Sequence, residues 1–306
     1  MDLLIAGGSG FIGRQLAESF TNEHRVTVLG RDEHRLKNLF PSTIATVSWD
    51  KLPTLDPREF DAVINLCGRN IAASRWNDHI KQEIITSRVD TTASLIDWIR
   101  QKEARPHFYC ANAIGIYGIQ SKDDPQAYDE DSSIDYEQPK DFLSEICIRW
   151  EQALQPARDL DLPVTITRFG VVLKKDEGML RKLTPAFKLG LGSVMGDGRQ
   201  IISWIHYKDL IAAWRFLLHK PQLIGAFNLT SPNPVNQAEF ARTMAQTMNR
   251  PLFLKTPAWF IRLLFGEMGD ALILNGQRVK PKRLPDEGFE FQYSELSEAM
   301  AEEFGA

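Results

Sequence analysis

The chain has 306 residues, of which 43% are hydrophobic, and this is enough to bury a sizeable core as one large domain or two lobes. Its formal net charge of -4 argues against a nucleic-acid-binding surface, and no run of Lys and Arg indicates a polybasic tail. No apolar stretch approaches the roughly 18 residues of a membrane span, and the first strand follows Met1 too closely for a signal peptide, so we expect a cytoplasmic protein without a membrane partner.

A glycine-rich turn joins the first predicted strand, residues 2–6, to a helical pattern. Gly7 suits a tight turn, Gly10 lets the backbone approach a pyrophosphate, and Gly13 lets the helix pack closely on the strand. The start of that helix offers unpaired N–H groups and a positive dipole end to phosphate groups. Because the turn follows one strand and precedes another, we predict a dinucleotide-binding loop rather than a merely structural turn. Its residues are Gly7, Gly8, Ser9, Gly10, Phe11, Ile12 and Gly13.

The second predicted strand, residues 25–30, ends at Gly30 beside Arg31, where dinucleotide-binding folds recognise the cofactor ribose. An acidic residue there favours the 2′-hydroxyl of NAD, whereas an arginine favours the 2′-phosphate of NADP. Arg31 comes first and Arg35 lies one helical turn later, so we predict NADP(H) as the cofactor in preference to NAD. The alternative is that Arg31 is a solvated loop residue and Asp32 a helix cap, and both interpretations can hold together.

Strand and helix patterns alternate up to residue 169, which predicts an α/β fold with a Rossmann-type, doubly wound parallel sheet. The further strands are predicted at 44–49, 61–68, 108–111 and 163–168, with long helices at 76–100 and 141–159.

The alternation stops beyond Gly170. The remaining patterns predict short strands at 201–205 and 225–229, and helices after Asp209, after Gln237, at 257–264 and at 293–304. We therefore predict a dinucleotide-binding domain at 1–169 and a smaller C-terminal α+β substrate lobe at 170–306, with segment 205–230 returning to the first domain. The apolar helix at 257–264 is expected to pack against the core.

The carboxyl end of the fourth strand lies where a ligand crosses an open α/β sheet. Leu66, Cys67 and Gly68 follow one another at this strand end, and Glu83 and Arg88 stand near the apolar stripe of the next helix. Most charges of this kind are solvated, so the pattern by itself leaves the roles of Glu83 and Arg88 open.

In the C-terminal lobe, a glycine-rich loop at 190–198 precedes polar residues on a predicted strand, an arrangement that commonly lines a substrate cleft. The candidate substrate contacts are Arg199, Gln200, Ser203, Trp204, His206 and, further along, Arg278. The alternatives are structural: His206 and Asp209 organise a helix start, Trp204 fills the interface between lobes, and Arg278 belongs to an ion pair.

Together these motifs resemble those of the extended short-chain dehydrogenases/reductases, and closely those of a subgroup of NAD-dependent epimerases sometimes labelled cell-division inhibitor homologues. The marks are the glycine loop, Trp76, Ser87-Arg88, Trp150-Glu151, Arg168 to Leu173, Gly198-Arg-Gln200, Ser203 to His206 with Asp209, Gly225 to Leu229, and Gln277-Arg-Val279 with Pro281. The resemblance implies cofactor contacts at the glycine loop, Gly30, Arg31, Leu66, Cys67, Glu83, Arg88 and Val172. Arg88 would then reach a ribose or phosphate oxygen, with Glu83 accepting from a hydroxyl or orienting the arginine.

The catalytic residues depart from those of the superfamily, whose chemistry uses a Tyr as acid/base, a Lys that lowers its pKa, and a Ser or Thr that binds the substrate carbonyl. Leu143 and Cys147 occupy the register of the Tyr/Lys pair, and Asn112 occupies the serine position. An amide can donate to a carbonyl but cannot relay a proton as a hydroxyl can. Tyr117 is the remaining candidate acid, and its alternative is packing on the cofactor loop.

A second Tyr-x-x-x-Lys match, Tyr136 to Lys140, contains Pro139 and follows an acidic stretch. Both features argue against a helical turn that holds the pair, and predict a surface loop instead.

Two functions follow from these observations. The first is an NADP(H)-binding oxidoreductase or epimerase that acts on a small-molecule substrate whose identity the sequence leaves open. The second is an NADP(H)-binding sensor or scaffold without ordinary turnover. The cysteines Cys67, Cys110 and Cys147 are odd in number and far apart, which predicts reduced, buried thiols and no disulfide or metal site. The oligomeric state stays open, with a homodimer as one alternative.

Overall fold

The computed structural model describes residues 1–305. Its strands are Asp2–Ala6 (β1), Arg25–Gly30 (β2), Ala45–Ser48 (β3), Ala62–Asn65 (β4), His107–Ala113 (β5), Val164–Phe169 (β6), Val171–Leu173 (β7), Ser193–Met195 (β8), Ile201–Ile202 (β9), Trp204–His206 (β10), Gly225–Leu229 (β11), Val235–Asn236 (β12) and Leu254–Thr256 (β13). Its α-helices are Phe11–Phe20 (α1), Glu33–Leu39 (α2), Asp78–Gln101 (α3), Phe142–Gln152 (α4), Gln155–Asp159 (α5), Gly178–Lys188 (α6), Tyr207–His219 (α7), Gln237–Thr247 (α8), Ala258–Gly269 (α9), Arg283–Asp286 (α10) and Leu296–Phe304 (α11).

A seven-stranded sheet with the order β11-β6-β5-β4-β1-β2-β3 forms the centre of the molecule. Every neighbouring pair is parallel, and the direction of winding reverses between β1 and β4. Strands covered by helices on both faces carry continuous apolar runs, and Leu3, Leu4 and Ile5 of β1 are all fully buried. The predicted Rossmann-type parallel sheet is therefore confirmed, and its switch point lies beside the glycine loop.

Two apolar cores cover the faces of this sheet. One contains Leu16 and Phe20 of α1 together with Trp214 of α7, and the other contains Leu95 of α3 and Trp150 of α4. Within segment 205–230, β11 pairs with β6 of the central sheet and α7 packs in the first core.

The rest of the C-terminal half forms a smaller assembly on short strand pairs. β7 pairs with β10, β9 with β12 and β8 with β13, around a third core that includes Trp204 and Phe240. The stretch predicted as one strand at 201–205 forms two strands. β9 pairs with β12, whereas β10, which follows Ser203, pairs with β7. The domain boundary at 169/170 stays a prediction.

Three helices differ from the sequence-based expectation. The predicted helix at 141–159 is two helices, α4 and α5, because Pro156 lies in the first turn of α5 and has no N–H for a continuous helix. Helix α6, which starts at a glycine and contains Pro185, was not predicted. The expectation for residues 257–264 was wrong in one respect: α9 forms, but only Ile261 of that stretch is buried.

Among residues 1–305, no helix is both long enough and apolar enough to cross a membrane.

Candidate cofactor site

The glycine loop between β1 and α1 has the geometry that its spacing predicts. Gly7 has a φ of +80°, and a Cβ there would lie 2.8 Å from the Leu66 carbonyl carbon. A Cβ on Gly13 would lie 2.6 Å from both the Gly7 oxygen and the Gly8 Cα, so any side chain would push α1 off the loop. At Gly10 the only near atom is the Gly7 oxygen at 3.4 Å, which leaves this glycine open to a ligand.

The first turn of α1 is open to an anion. Gly10 caps the helix without a side-chain hydrogen bond, and the first turn contains no acidic residue. Its N–H groups and the positive end of the helix dipole are therefore available to a phosphate. Val172 lies close by, since a Cβ on Gly178 would lie 3.6 Å from the Val172 oxygen and 3.7 Å from the Phe11 ring.

Arg31 stands at the carboxyl end of β2, exposed, and no carboxylate of residues 1–305 lies within 4.0 Å of its guanidinium. Asp32 accepts from the Arg35 backbone N–H at 3.0 Å and therefore caps α2, as the alternative interpretation of this segment predicted. Gly30 packs against Leu36, where a Cβ would come within 3.0 Å of Cδ1. The cap and a free Arg31 therefore coexist.

Arg88 lies on the other side of the glycine loop, against the end of β4. Its guanidinium carbon would be 2.9 Å from a Cβ on Gly68 and lies 5.1 Å from the centre of the Trp150 ring. It donates to the backbone oxygens of Ile84 at 2.7 Å and Arg69 at 3.2 Å. No described carboxylate pairs with it, and burial lowers its pKa. Arg88 is therefore a fixed cation without a counter-ion.

Glu83 does not orient Arg88, so that part of the prediction was wrong. Its carboxylate accepts from Arg69 at 2.5 Å, and Arg69 also donates its backbone N–H to Ser87 at 2.9 Å. The physical reason is that the backbone of Arg69 is hydrogen-bonded to Ser87 and Arg88 of α3, which brings its guanidinium within reach of Glu83. Glu83 therefore holds the segment after Gly68 in place.

The end of β4 is held by its own side chain. Asn65 is buried, donates to Thr92 at 2.9 Å and accepts from the Cys67 backbone N–H at 3.0 Å. The Leu66 carbonyl group packs against Gly7, where a Cβ would lie 2.8 Å from the carbonyl carbon. The backbone of Leu66 and Cys67 is thereby fixed beside the glycine loop.

Asn112 and Tyr117, the predicted catalytic residues, lie in a buried network. The Asn112 amide donates to the Cys147 oxygen at 3.1 Å and to Glu151 at 2.8 Å. The Tyr117 hydroxyl donates to Asn228 at 3.0 Å and accepts from Arg168 at 3.1 Å. Both side chains are turned into the protein, and these contacts argue against direct roles in catalysis.

Burial raises the pKa of Tyr117, and the nearby Arg168 lowers it by less. A tyrosine acid/base needs its pKa moved down towards neutrality, which is the opposite direction. The hydroxyl of Tyr117 therefore keeps its proton and serves as the donor of a structural hydrogen bond. Its ring stacks on Tyr128 with 5.3 Å between centroids.

The ion pair between Glu151 of α4 and Arg168 of β6 is the centre of this network and was missed from the sequence. Glu151 is 1% exposed and Arg168 3% exposed, with contacts of 2.9 and 3.0 Å. Tyr136 completes the carboxylate's set by donating at 2.7 Å. The only signal in the sequence was that Trp150-Glu151 and Arg168 belong to the motifs shared with the resembled subgroup. That resemblance assigned no role to Glu151 or Arg168.

The usual Tyr/Lys register on α4 is apolar. Leu143 and Cys147 lie against Gly115, whose Cβ would be 3.3 and 3.4 Å from their nearest side-chain atoms. Tyr136 and Lys140 lie outside any helix, as Pro139 indicated, so the Tyr-x-x-x-Lys match there forms no acid/base pair. Lys140 instead donates to the Tyr117 backbone oxygen at 3.0 Å.

Four of the predicted substrate contacts are buried and hydrogen-bonded within the protein. Gln200 donates to Met195 and Ile273, Ser203 to Gln277, and Trp204 to Asn233, while the His206 ring meets Glu303 at 2.9 Å. These contacts join the C-terminal segments to one another, and they favour the structural alternatives. The structural role of Asp209 is similar, since its carboxylate accepts from two backbone N–H groups that precede α11.

Arg199 and Arg278 are placed differently. Arg199 is exposed and pairs with Asp123, while Lys122 pairs with Asp197 at 2.9 Å. Each of the two loops, at 122–123 and 197–199, therefore contributes one cation and one carboxylate to the contact. The Nε atom of Arg278 is buried without a hydrogen-bond partner, and no described carboxylate pairs with this arginine, so the ion pair expected as its alternative is not found. Arg278 stays a predicted substrate contact.

Comparisons with known proteins agree with this architecture. A sequence profile of the NAD-dependent epimerase/dehydratase family matches residues 3–230, and that of a domain of unknown function matches residues 256–303. The chain belongs to the NAD-dependent epimerase/dehydratase family. Epimerase family protein Mb2239 of Mycobacterium bovis is 37% identical over 300 residues, which cover 97% of this chain and 95% of that relative. The chloroplastic SDR39U1 homologue of Arabidopsis thaliana is 35% identical and covers 98% of this chain and 86% of its own length.

Solved structures of other family members share the fold. The human epimerase family protein SDR39U1 (isoform 2), crystallised with NADPH, is 30% identical and superposes with a TM-score of 0.88 over 99% of both chains. A nucleoside-diphosphate sugar epimerase from Corynebacterium glutamicum is 28% identical, with a TM-score of 0.77 over 100% of this chain and 58% of that one. The resemblance found in the sequence is therefore confirmed at the level of family and fold.

Proposed function

We propose that this chain is an NADPH-binding oxidoreductase of its family, acting on a small-molecule substrate without the usual tyrosine–lysine pair. The observation that carries the proposal is the placement of two unpaired cations, Arg31 and Arg88, on either side of an open glycine loop. Guanidinium groups without a carboxylate beside a helix N-terminus fit a ligand with several phosphates. The relative crystallised with NADPH supports the choice of cofactor.

In this proposal the glycine loop, the first turn of α1 and the two arginines each bind a different part of the cofactor. The first turn of α1 would bind the pyrophosphate, which can approach closely at Gly10. Arg31 would pair with the 2′-phosphate, and Arg88 would hold a ribose or phosphate oxygen beside Gly68. The remaining predicted contacts, Leu66, Cys67 and Val172, would line the cofactor through backbone and apolar surface.

When bound, the nicotinamide would supply the hydride chemistry. The chain's own residues would bind and orient, because Leu143 and Cys147 contribute no acid or base from α4. The loops at 120–124 and 197–199, which the ion pairs of Lys122 and Arg199 hold together, would cover one side of the substrate. We propose residues 170–306 as the lobe that covers the substrate, with Arg278 as a substrate contact.

The proposal is tested by measuring dissociation constants for NADPH and NADH with the wild type, Arg31→Ala and Arg25→Ala. Arg25 is the matched control, because it is an exposed arginine at the opposite end of the same strand, about 20 Å from Arg31. We expect Arg31→Ala to weaken NADPH by roughly tenfold or more, about 1.4 kcal/mol, and to leave NADH nearly unchanged. Equal losses for both nucleotides, or equal losses in both variants, would overturn the assignment of Arg31.

A second function, a cofactor-binding sensor or scaffold without turnover, is favoured by the burial of Asn112 and Tyr117. The two functions differ in whether NADPH is consumed. A screen of small carbonyl substrates with wild type and Tyr117→Phe separates them. Consumption of NADPH in both proteins supports the oxidoreductase and removes Tyr117 as the acid, whereas consumption by neither supports the sensor.

For the cell compartment we propose the cytoplasm, because all three cysteines are free and buried, as expected of a protein in a reducing environment. A homodimer stays a proposal that sedimentation would test.

A further inference from the structure

Two segments of the C-terminal half, residues 178–196 and 249–266, lie side by side and form one surface, which we call the cationic-apolar surface. β8 of the first segment pairs with β13 of the second, and Arg250 donates to the Lys188 backbone oxygen at 2.8 Å. The surface contains α6 and most of α9. Gly178, its first residue, lies beside Phe11 and Val172, and none of its other residues is assigned to the cofactor site.

The charge of this surface is one-sided. The two segments contain six Lys or Arg residues and no Asp or Glu, whereas the whole chain has a net charge of -4. All six are exposed: Arg181, Lys182, Lys188, Arg250, Lys255 and Arg262. Within residues 1–305 only Arg262 has a carboxylate partner, Asp270 at 2.8 Å. The carboxylates that adjoin the two segments, Glu177, Asp197 and Glu267, each pair with a cation outside them. The surface is therefore a positive region on a protein of negative net charge.

The same surface is unusually apolar. The described chain exposes twelve large hydrophobic side chains, and nine of them belong to these two segments. On α9, Trp259 is 65% exposed and Leu263 is 63% exposed. At 100° per residue both lie opposite Ile261, the side chain that anchors the helix to the protein. A helix that is apolar on both its inner and its outer face needs a second surface to cover it.

We propose that the cationic-apolar surface docks on an anionic phospholipid bilayer, with the outer face of α9 lying in the interface. Aromatic and leucine side chains insert at the boundary of headgroups and acyl chains, while nearby Lys and Arg side chains pair with lipid phosphates. The five cations without a carboxylate partner suit a surface of continuous negative charge. The expectation of no membrane partner came from the lack of a spanning helix, and a helix that lies on a bilayer requires none.

A second copy of the chain fits this surface less well. A two-fold symmetric contact would place six cations of one copy against the same six of the other. Asp270 offsets Arg262 alone, so the five unpaired cations of each copy would repel those of the other.

The test is sedimentation of the full chain with vesicles of pure phosphatidylcholine, and with vesicles of equal parts phosphatidylcholine and phosphatidylglycerol. We expect binding to the anionic vesicles only. The double variant Trp259→Ser/Leu263→Ser should bind at least roughly tenfold more weakly, and Lys188→Gln and Lys255→Gln should each weaken binding by about fivefold. Ile224→Ser and Lys102→Gln are the matched controls, since both side chains are exposed outside the two segments.

Three results would overturn the proposal. They are a failure of the wild type to bind anionic vesicles, losses in the control variants equal to those at α9, or a concentration-dependent dimer that the Trp259→Ser/Leu263→Ser variant abolishes while vesicle binding is absent. The substituted side chains are exposed, and urea midpoints equal to that of the wild type would establish that a loss of binding is not a loss of folding.

Discussion

Replacing Glu151 by Gln should strongly destabilise the fold. The Glu151 carboxylate accepts four hydrogen bonds, two from Arg168 and one each from Asn112 and Tyr136. The substitution keeps the size of the side chain but removes its charge. Arg168 is then left buried at 3% exposure without a counter-ion.

The size of the effect follows from which group is left unpaired. Breaking a buried ion pair by removing one partner costs about 3–5 kcal/mol, because the remaining charge stays desolvated. Tyr136→Phe removes only one hydrogen bond to the same carboxylate and should cost about 1 kcal/mol. Replacing both charged partners, in Glu151→Leu/Arg168→Met, should cost less than Glu151→Gln alone, since no buried charge remains.

Urea unfolding followed by tryptophan fluorescence measures all four proteins. A cost below about 1 kcal/mol for Glu151→Gln would be that of a surface ion pair, and would refute the conclusion that this pair is desolvated. A double variant that is less stable than the single variant would refute the argument from the unpaired charge.

Further predictions concern buried titrating groups and the glycine loop. Burial lowers the pKa of His107 to about 4 from an ordinary 6.5; the unfolded chain therefore binds the extra proton between these values, and the free energy of unfolding should fall as pH drops from 6.5 to 4, less so in His107→Gln. Burial raises the pKa of Cys67 and Cys147 to about 12, so Ellman's reagent at pH 8 should label the native protein only after denaturant is added; rapid native labelling would contradict this. Gly13→Ala should destabilise the protein by about 1–3 kcal/mol and abolish NADPH binding in calorimetry, because its Cβ meets backbone atoms at 2.6 Å; unchanged binding would contradict this geometry.

The central sheet could be predicted because its signals are local. A buried parallel strand is a continuous apolar run, and the glycines at 7, 10 and 13 are needed within a single turn of chain. The polar network could not be predicted in the same way. Glu151 contacts residues 15, 17 and 39 positions away, and Tyr117 contacts Asn228 across 111 positions. Such contacts depend on strand order, which no local pattern encodes.

The role of Glu83 shows a related limit. The resemblance implied that Glu83 accepts from a hydroxyl or orients Arg88, but the backbone after Gly68 places Arg69 against the same carboxylate. The apolar helix at 257–264 shows another, because hydrophobicity alone does not distinguish a side that faces the core from one that faces outwards. Only the packed structure separates Ile261 from Trp259.

The central claim is that the open glycine loop and its two unpaired arginines bind NADPH. Its most direct test is a calorimetric titration of the purified wild-type chain with NADPH and, separately, with NADH. We expect one equivalent of NADPH to bind, and to bind more tightly than NADH. Binding of neither nucleotide would contradict it and would leave the loop as a purely structural turn.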